Sequence, residues 1–417
     1  MIRPLPVLLA LVCACAIAAP ATQKRHRRHA ASATAAKAPA PAASSTHRRR
    51  SSLHHNAIAT PANRATLHKV SYTSTPAASR AHRRRRAEFN PWLSPTFADS
   101  TIGDLVDGED LLVRQAAVKA LGLYNGSVVV ADPSSGRVLS IVNQKLAFKE
   151  GFEPCSTIKI VASLAGLNEG VIDPDSQMHI GRRSRIDLTN ALAHSNNVYF
   201  STVGDRLGFD RITDYARQFG LGEKAGLNIA GEQVSPLPEA PPSDGLGMMT
   251  SFGEGFYFTP LQLAALVSAV ANGGTLYYLQ YPRSQDEIDQ FIPRVKRHLE
   301  IEKAIPAVRP GMMGAVAFGT ARRAMFDPEQ PIFGKTGTCT DNRSPTHLGW
   351  FGSFQEIAGR KVVVVVLLTG GHAVSGPIAS GVAGAVYRNL RDQGYYSQPV
   401  PPASPAALVY SGTAYAR

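Results

Sequence analysis

The chain has 417 residues and a formal net charge of +13 at pH 7, enough length for one large domain or two ordinary ones with a sizeable core. The charge suggests nucleic acid until it is located. Residues 22–86 hold 15 Lys and Arg and no Asp or Glu, so with Arg3 set aside residues 87–417 sum to −3. The folded part is mildly acidic, and no nucleic-acid partner is expected.

The opening stretch, "MIRPLPVLLALVCACAIAAPA", has a basic Arg3, an apolar run of 15 residues from Leu5 to Ala19, and then small residues. This predicts a secretory signal over 1–21, because a membrane span needs about 20 apolar residues. A short uncleaved anchor and a lipid-modified Cys15 are the alternatives. Residues 22–88, with "KRHRRH", "HRRR" and "HRRRR" among Ala, Pro, Ser and Thr, bury too little apolar surface to offset ordering entropy. They read as a disordered basic tether, with weak electrostatic attraction to anionic envelope polymers or lipids as the sharper reading. Export to a periplasm or cell envelope is the expected destination, with membrane association if the first segment stays.

Ordered structure is expected over 89–395, followed by a flexible tail over 396–417. "EDLLVRQAAVKALGL" (109–123) has helical spacing of Leu111, Leu112, Ala116, Val118 and Leu121, and "GSVVVADPSSGRVLSIVN" (126–143) reads as two strands about a turn. A helix should run from Ser156 to about Asn168, and another over 259–274, with Pro260 near its start and glycines after it. "PIFGKTGT", "HLGWFGSF" and "RKVVVVVLLTG" predict three strands, and "PIASGVAGAVYRNL" a closing helix. The valine run is too short to cross a bilayer, so a buried central strand is expected. Strand pairs at both ends with helices between them predict an α+β domain on an antiparallel sheet.

Chemistry concentrates in three places. "EPCSTIKI" sets Ser156 three residues before Lys159, a spacing that puts both on one helix face. A serine hydroxyl needs a neighbouring base, and lysine serves only if burial or a second cation lowers its pKa. A lone Ser-x-x-Lys pair is weak evidence. "HSNNVYF" adds Ser195 and Asn197, 39 residues after Ser156, and "FGKTGTCT" adds Lys335, Thr336 and Gly337. Together these three signatures, in this order, are those of penicillin-recognising serine enzymes.

The wider text resembles a penicillin-binding protein transpeptidase domain over roughly residues 108–393. "FGLGEKAGLNIAGEQVSPLP" and "TSFGEGFYFTPLQLAALVSAVANGG" resemble the middle of that family, and "PGMMGAVAFGTA" its end. The resemblance implies a serine β-lactamase/transpeptidase-like α+β fold, with a five-stranded antiparallel sheet flanked by helices and a helical subdomain. It also implies roles. Ser156 would be acylated by a D-Ala-D-Ala stem peptide or a β-lactam, with Lys159 as base. Ser195 would relay a proton and Asn197 would hold the substrate amide. Lys335 would supply charge, Thr336 and Thr338 would bind the substrate carboxylate beside Gly337, and the N–H groups of Ser156 and Thr338 would form an oxyanion hole. No cofactor or metal is expected, since the tail histidines show no ligand spacing.

Cys155 stands where the family usually has Gly, and Cys339 lies four residues after Lys335. Some class A β-lactamases carry a joined pair at these positions, so the resemblance implies a Cys155–Cys339 disulfide. It would contribute roughly 2–4 kcal/mol and pin the nucleophile to the Lys-Thr-Gly strand. Two unrelated buried thiols are the alternative. Asn196 reads as a spacer, and His347 and Trp350 as packing.

The fate of the acyl ester separates the functions. The expectation is a D,D-transpeptidase cross-linking peptidoglycan; a β-lactamase or D,D-carboxypeptidase and a non-catalytic penicillin-binding sensor or scaffold are the alternatives. "EKAGLN" (Glu223 to Asn228) approximates the Glu-x-x-Leu-Asn loop of class A β-lactamases, but its spacing is one residue too long. The chain between tether and first helix leaves no room for the pedestal module common in class B members.

Overall fold

A computed structural model describes residues 92–398 and the backbone of Leu408–Val409. The expected signal segment and basic tether lie outside the described residues, as does most of the expected tail. The core is one five-stranded sheet with every neighbouring pair antiparallel. Its strands are β1 (Gly126–Ala131), β2 (Val138–Val142), β3 (Ile332–Thr340), β4 (His347–Ile357) and β5 (Arg360–Gly370), in the order β2-β1-β5-β4-β3. The predicted strand pairs and fold class are therefore present.

Strand β5 is the central one, which explains its uninterrupted valines. Val362, Val364, Val366 and Leu368 point to one face, where α1 (Leu111–Leu121) and the closing helix Gly376–Asp392 cover them. Val363, Val365 and Leu367 point to the other face, which packs on the helical half of the molecule. A strand covered on both sides has no need of polar alternation.

The helical half begins with α2 (Lys159–Asn168), which is preceded by a 3-10 turn at Cys155–Ile158. The expected helix thus starts its α-helical part at Lys159. It continues with α3 (Leu188–Ala193), α4 (Asn197–Leu207), α5 (Phe209–Gln218) and α6 (Leu246–Phe252). Next come α7 (Pro260–Asn272) and α8 (Ile305–Ala317), and the closing helix is α9. Helix α7 has a full capping box: Thr259 accepts from the Gln262 N–H while Gln262 accepts from the Thr259 N–H, and Pro260 occupies the first turn. Such caps satisfy amides that the helix cannot, worth about 1 kcal/mol each.

Order extends past residue 395. The Tyr396 hydroxyl donates to Gln355 Oε1 at 3.1 Å, and Leu408–Val409 pairs in parallel with Arg294 and Val295.

Trp350, wholly buried on β4, donates its indole N–H to the Glu153 carbonyl at 2.9 Å. This ties the chain just before Ser156 to the sheet. Trp350→Phe keeps most of the volume but strands a buried carbonyl. It is expected to lower unfolding free energy by about 1–3 kcal/mol in urea melts; a change within about 0.5 kcal/mol, as for a surface position, would contradict this role.

Candidate active site

The site forms where three elements of separate sequence origin converge. Pro154 precedes the 3-10 turn, and Cys155 takes a left-handed φ of +50°, a conformation that costs a non-glycine residue on the order of 1–2 kcal/mol. That turn sets Ser156 above Lys159, with Lys159 Nζ 2.7 Å from Ser156 Oγ. Nζ also donates to Asn197 Oδ1 at 2.9 Å and to the Ser251 carbonyl. The rings of Phe200 and Phe252 close around it at 5.6 and 5.7 Å.

Lys159 is wholly buried. Desolvation, and then the charge of Lys335, holds its pKa well below that of an ordinary lysine. Three oxygens surround Nζ, namely Ser156 Oγ, Asn197 Oδ1 and the Ser251 carbonyl, and Ser156 Oγ in turn donates to the Ser251 carbonyl at 3.3 Å. A neutral amine there would have two N–H donors for the carbonyl oxygens and a lone pair for the Ser156 hydroxyl. Lys335, also wholly buried, is lowered by burial to about 7, and its Nζ donates to its own neighbour's carbonyl, Thr336 O, at 3.0 Å.

Strand β3 brings Lys335, Thr336, Gly337 and Thr338 to the turn that carries Ser156. Gly337 is required for that approach, since a Cβ there would lie 2.9 Å from the Pro154 carbonyl and 3.2 Å from Cys155 Cβ. Thr336 Oγ1 lies 2.6 Å from Thr320 Oγ1, and Thr338 Oγ1 accepts from the Gly376 N–H at 2.7 Å. Cys155 and Cys339 are at bonding distance, with Cα atoms 5.6 Å apart.

Ser195 holds a φ of +56° between α3 and α4. Among the described residues its hydroxyl has no hydrogen-bond partner, so it does not join the Lys159 cluster directly. Asn196 caps α4 by accepting from the Tyr199 N–H at 2.9 Å, a structural task for the residue read as a spacer. His347 packs on His372 with ring centroids 4.9 Å apart.

Three contributors escaped the sequence reading. They are the Ser251 carbonyl, the Thr320 hydroxyl and the Gly376 amide. Ser251 is tied in twice, because its hydroxyl also donates to the Asn197 carbonyl at 2.8 Å. Glu223, the β-lactamase-like candidate, is occupied elsewhere. It pairs with Arg297 at 2.6 Å and Lys296 at 3.1 Å, and Asn228 accepts from the Tyr281 N–H at 3.0 Å.

Similarity to known proteins runs through most of the described residues. The penicillin binding protein transpeptidase domain, as a family, matches residues 126–390. Stage V sporulation protein D of Bacillus subtilis is 27% identical over 284 residues, covering 60% of this chain and 44% of that protein. Peptidoglycan D,D-transpeptidase FtsI of Escherichia coli K12 is 25% identical over 317 residues, covering 64% of this chain and 52% of that one. The chain spans about half the length of these curated relatives. Among solved structures, PBPA of Mycobacterium tuberculosis superposes with a TM-score of 0.57 at 23% identity, over 68% of this chain and 81% of that one. The same fold was also solved for that organism's penicillin-binding protein A as a ceftriaxone acyl-enzyme complex, with a TM-score of 0.57 at 22% identity, covering 68% of this chain and 79% of that one. With its match spanning more than half the sequence, this chain belongs to the penicillin-binding protein transpeptidase domain family.

Proposed function

We propose that the protein is a serine D,D-transpeptidase that cross-links peptidoglycan stem peptides and is inhibited by β-lactams. The observation that carries this reading is the buried Lys159 amine, 2.7 Å from Ser156 Oγ and held by desolvation and the charge of Lys335 well below an ordinary lysine's pKa. Lys159 takes the Ser156 proton as Oγ attacks the carbonyl carbon between the two D-Ala residues. The N–H groups of Ser156 and Thr338 receive the oxyanion. The carbon–nitrogen bond then breaks, the departing D-Ala amine takes a proton through Ser195, and an ester to Ser156 remains. An amine of a second stem peptide attacks that ester, gives its proton to Lys159, and restores the hydroxyl as the new amide forms.

Asn197 holds the substrate amide, while Lys335, Thr336 and Thr338 bind the free carboxylate. The two buried lysines sit in this scheme in opposite charge states, Lys159 neutral and Lys335 cationic. Transfer to an amine is preferred over hydrolysis because Glu223, the carboxylate that the β-lactamase reading would use to activate water, is instead paired with Arg297 and Lys296. The chain organisation fits an exported enzyme of the cell envelope: a signal or anchor over 1–21, a basic tether over 22–88, and the catalytic domain over 89–395 stapled by Cys155–Cys339.

Fluorescent penicillin is expected to label the purified protein covalently for many minutes, and Ser156→Ala to abolish labelling. Rapid release with hydrolysis of free penicillin would instead make it a β-lactamase. Acylation should also follow a bell-shaped pH profile. The second-order rate, which reports the free enzyme, climbs as Lys159 loses its proton and falls as Lys335 loses its own near 7. Lys335→Arg keeps its charge, so in that variant the alkaline limb moves upward; an unmoved limb would remove Lys335 from the scheme.

A further inference from the structure

Transfer needs a second substrate, an amine, and Lys335, Thr336 and Thr338 hold only the peptide that is cut. In the proposed cycle the departing D-Ala leaves with its carboxylate at the two threonines and its nitrogen at Ser195. The attacking nitrogen takes the same place, because making the new amide is the reverse of breaking the old one. Side chains just outward of Ser195 and Thr336 therefore border the incoming acceptor.

Three such side chains face solvent. His194, directly before Ser195, is exposed, and among the described residues its ring nitrogens have no hydrogen-bond partner. Its ring leans on Phe318, with centroids 5.6 Å apart. Phe318 is 47% exposed, and Val198, directly after Asn197, is 51% exposed. One exposed apolar side chain is ordinary; here two flank the turn that carries Ser195 and Asn197.

This wall is held from behind. The Thr320 N–H donates to the Ala193 carbonyl at 3.1 Å, and Thr320 Oγ1 lies 2.6 Å from Thr336 Oγ1. The loop carrying Phe318 is thereby fixed to both the Ser195 turn and strand β3. Four residues earlier on α8, a Cβ at Gly314 would lie 2.7 Å from Phe318 Cζ, so the ring rests on bare helix backbone.

An imidazole nitrogen accepts from an N–H, an aromatic face attracts an ammonium, and Phe318 and Val198 offer apolar surface to methylenes. We infer that His194, Phe318 and Val198 wall the acceptor side of the cleft and select a primary amine carried on an alkyl side chain. The inference rests on the transpeptidase reading and adds the acceptor class to it. An acceptor arriving as ammonium gives one proton to solvent. Its nitrogen then bonds to the ester carbon, the bond from that carbon to Ser156 Oγ breaks, and the second proton reaches Oγ through Lys159.

The test gives the purified protein N-benzoyl-D-alanyl thioglycolate as acyl donor, with Nα-acetyl-lysine amide or glycinamide as acceptor, and measures amide product against free acid. Both products come from one acyl-enzyme, so slow acylation or partial unfolding of a variant cancels in the ratio. The ratio is expected to be higher with Nα-acetyl-lysine amide than with glycinamide. With the lysine acceptor, Phe318→Ser and His194→Ala should each lower it at least fivefold, while Phe318→Leu and His194→Gln should keep most of it. Amide formation with a ratio unmoved in Phe318→Ser and His194→Ala would overturn the acceptor wall and leave the transpeptidase reading standing. Equal losses with both acceptors would overturn the alkyl selectivity. Free acid alone from the unsubstituted protein, at every acceptor concentration, would overturn both the wall and the transpeptidase reading.

Discussion

Lys159 is a cation by ordinary chemistry and is held where a cation is poorly tolerated. Removing an ammonium from water costs several kcal/mol after relaxation, and the surroundings of Nζ do not repay it with a carboxylate. They offer Asn197 Oδ1, the Ser251 carbonyl and the Ser156 hydroxyl, flanked by two phenylalanine rings. The cheaper course is to give up the proton. Most of what surrounds the site can be understood as maintaining that one condition.

The condition needs parts that are remote in sequence. Helix α2 supplies the lysine, the turn into α4 supplies Asn197, and the end of α6 supplies the Ser251 carbonyl. Strand β3 supplies the second lysine, whose charge also depresses Lys159. What keeps these in register is contact at short range: Gly337 against Pro154, Trp350 on the Glu153 carbonyl, and Cys155 beside Cys339. The left-handed backbone at Cys155 is strain that such anchoring can hold.

The sequence was legible where chemistry and periodicity are local. Serine three before lysine, serine two before asparagine, and Lys-Thr-Gly on an apolar strand are each read within a few residues. The sheet was legible through β5, whose valine run is explained by its central place. Ser251, Thr320 and Gly376 carried no such signal. A backbone carbonyl looks the same in every residue, and the use of this one by Lys159 joins α2 to α6 across 92 residues of sequence. Asn196 was read as filler because capping depends on where a helix starts, which periodicity places only to within a few residues.

The central claim concerns one proton, and it can be observed directly. In protein labelled with ¹⁵N at lysine side chains, the Nζ resonance of Lys159 can be assigned by its disappearance in Lys159→Met and its shift recorded at pH 7. A neutral amine shift, distinct from those of the exposed lysines, is the predicted result. An ammonium shift at that pH, in protein that still reacts with penicillin, would contradict the account and require another base for Ser156.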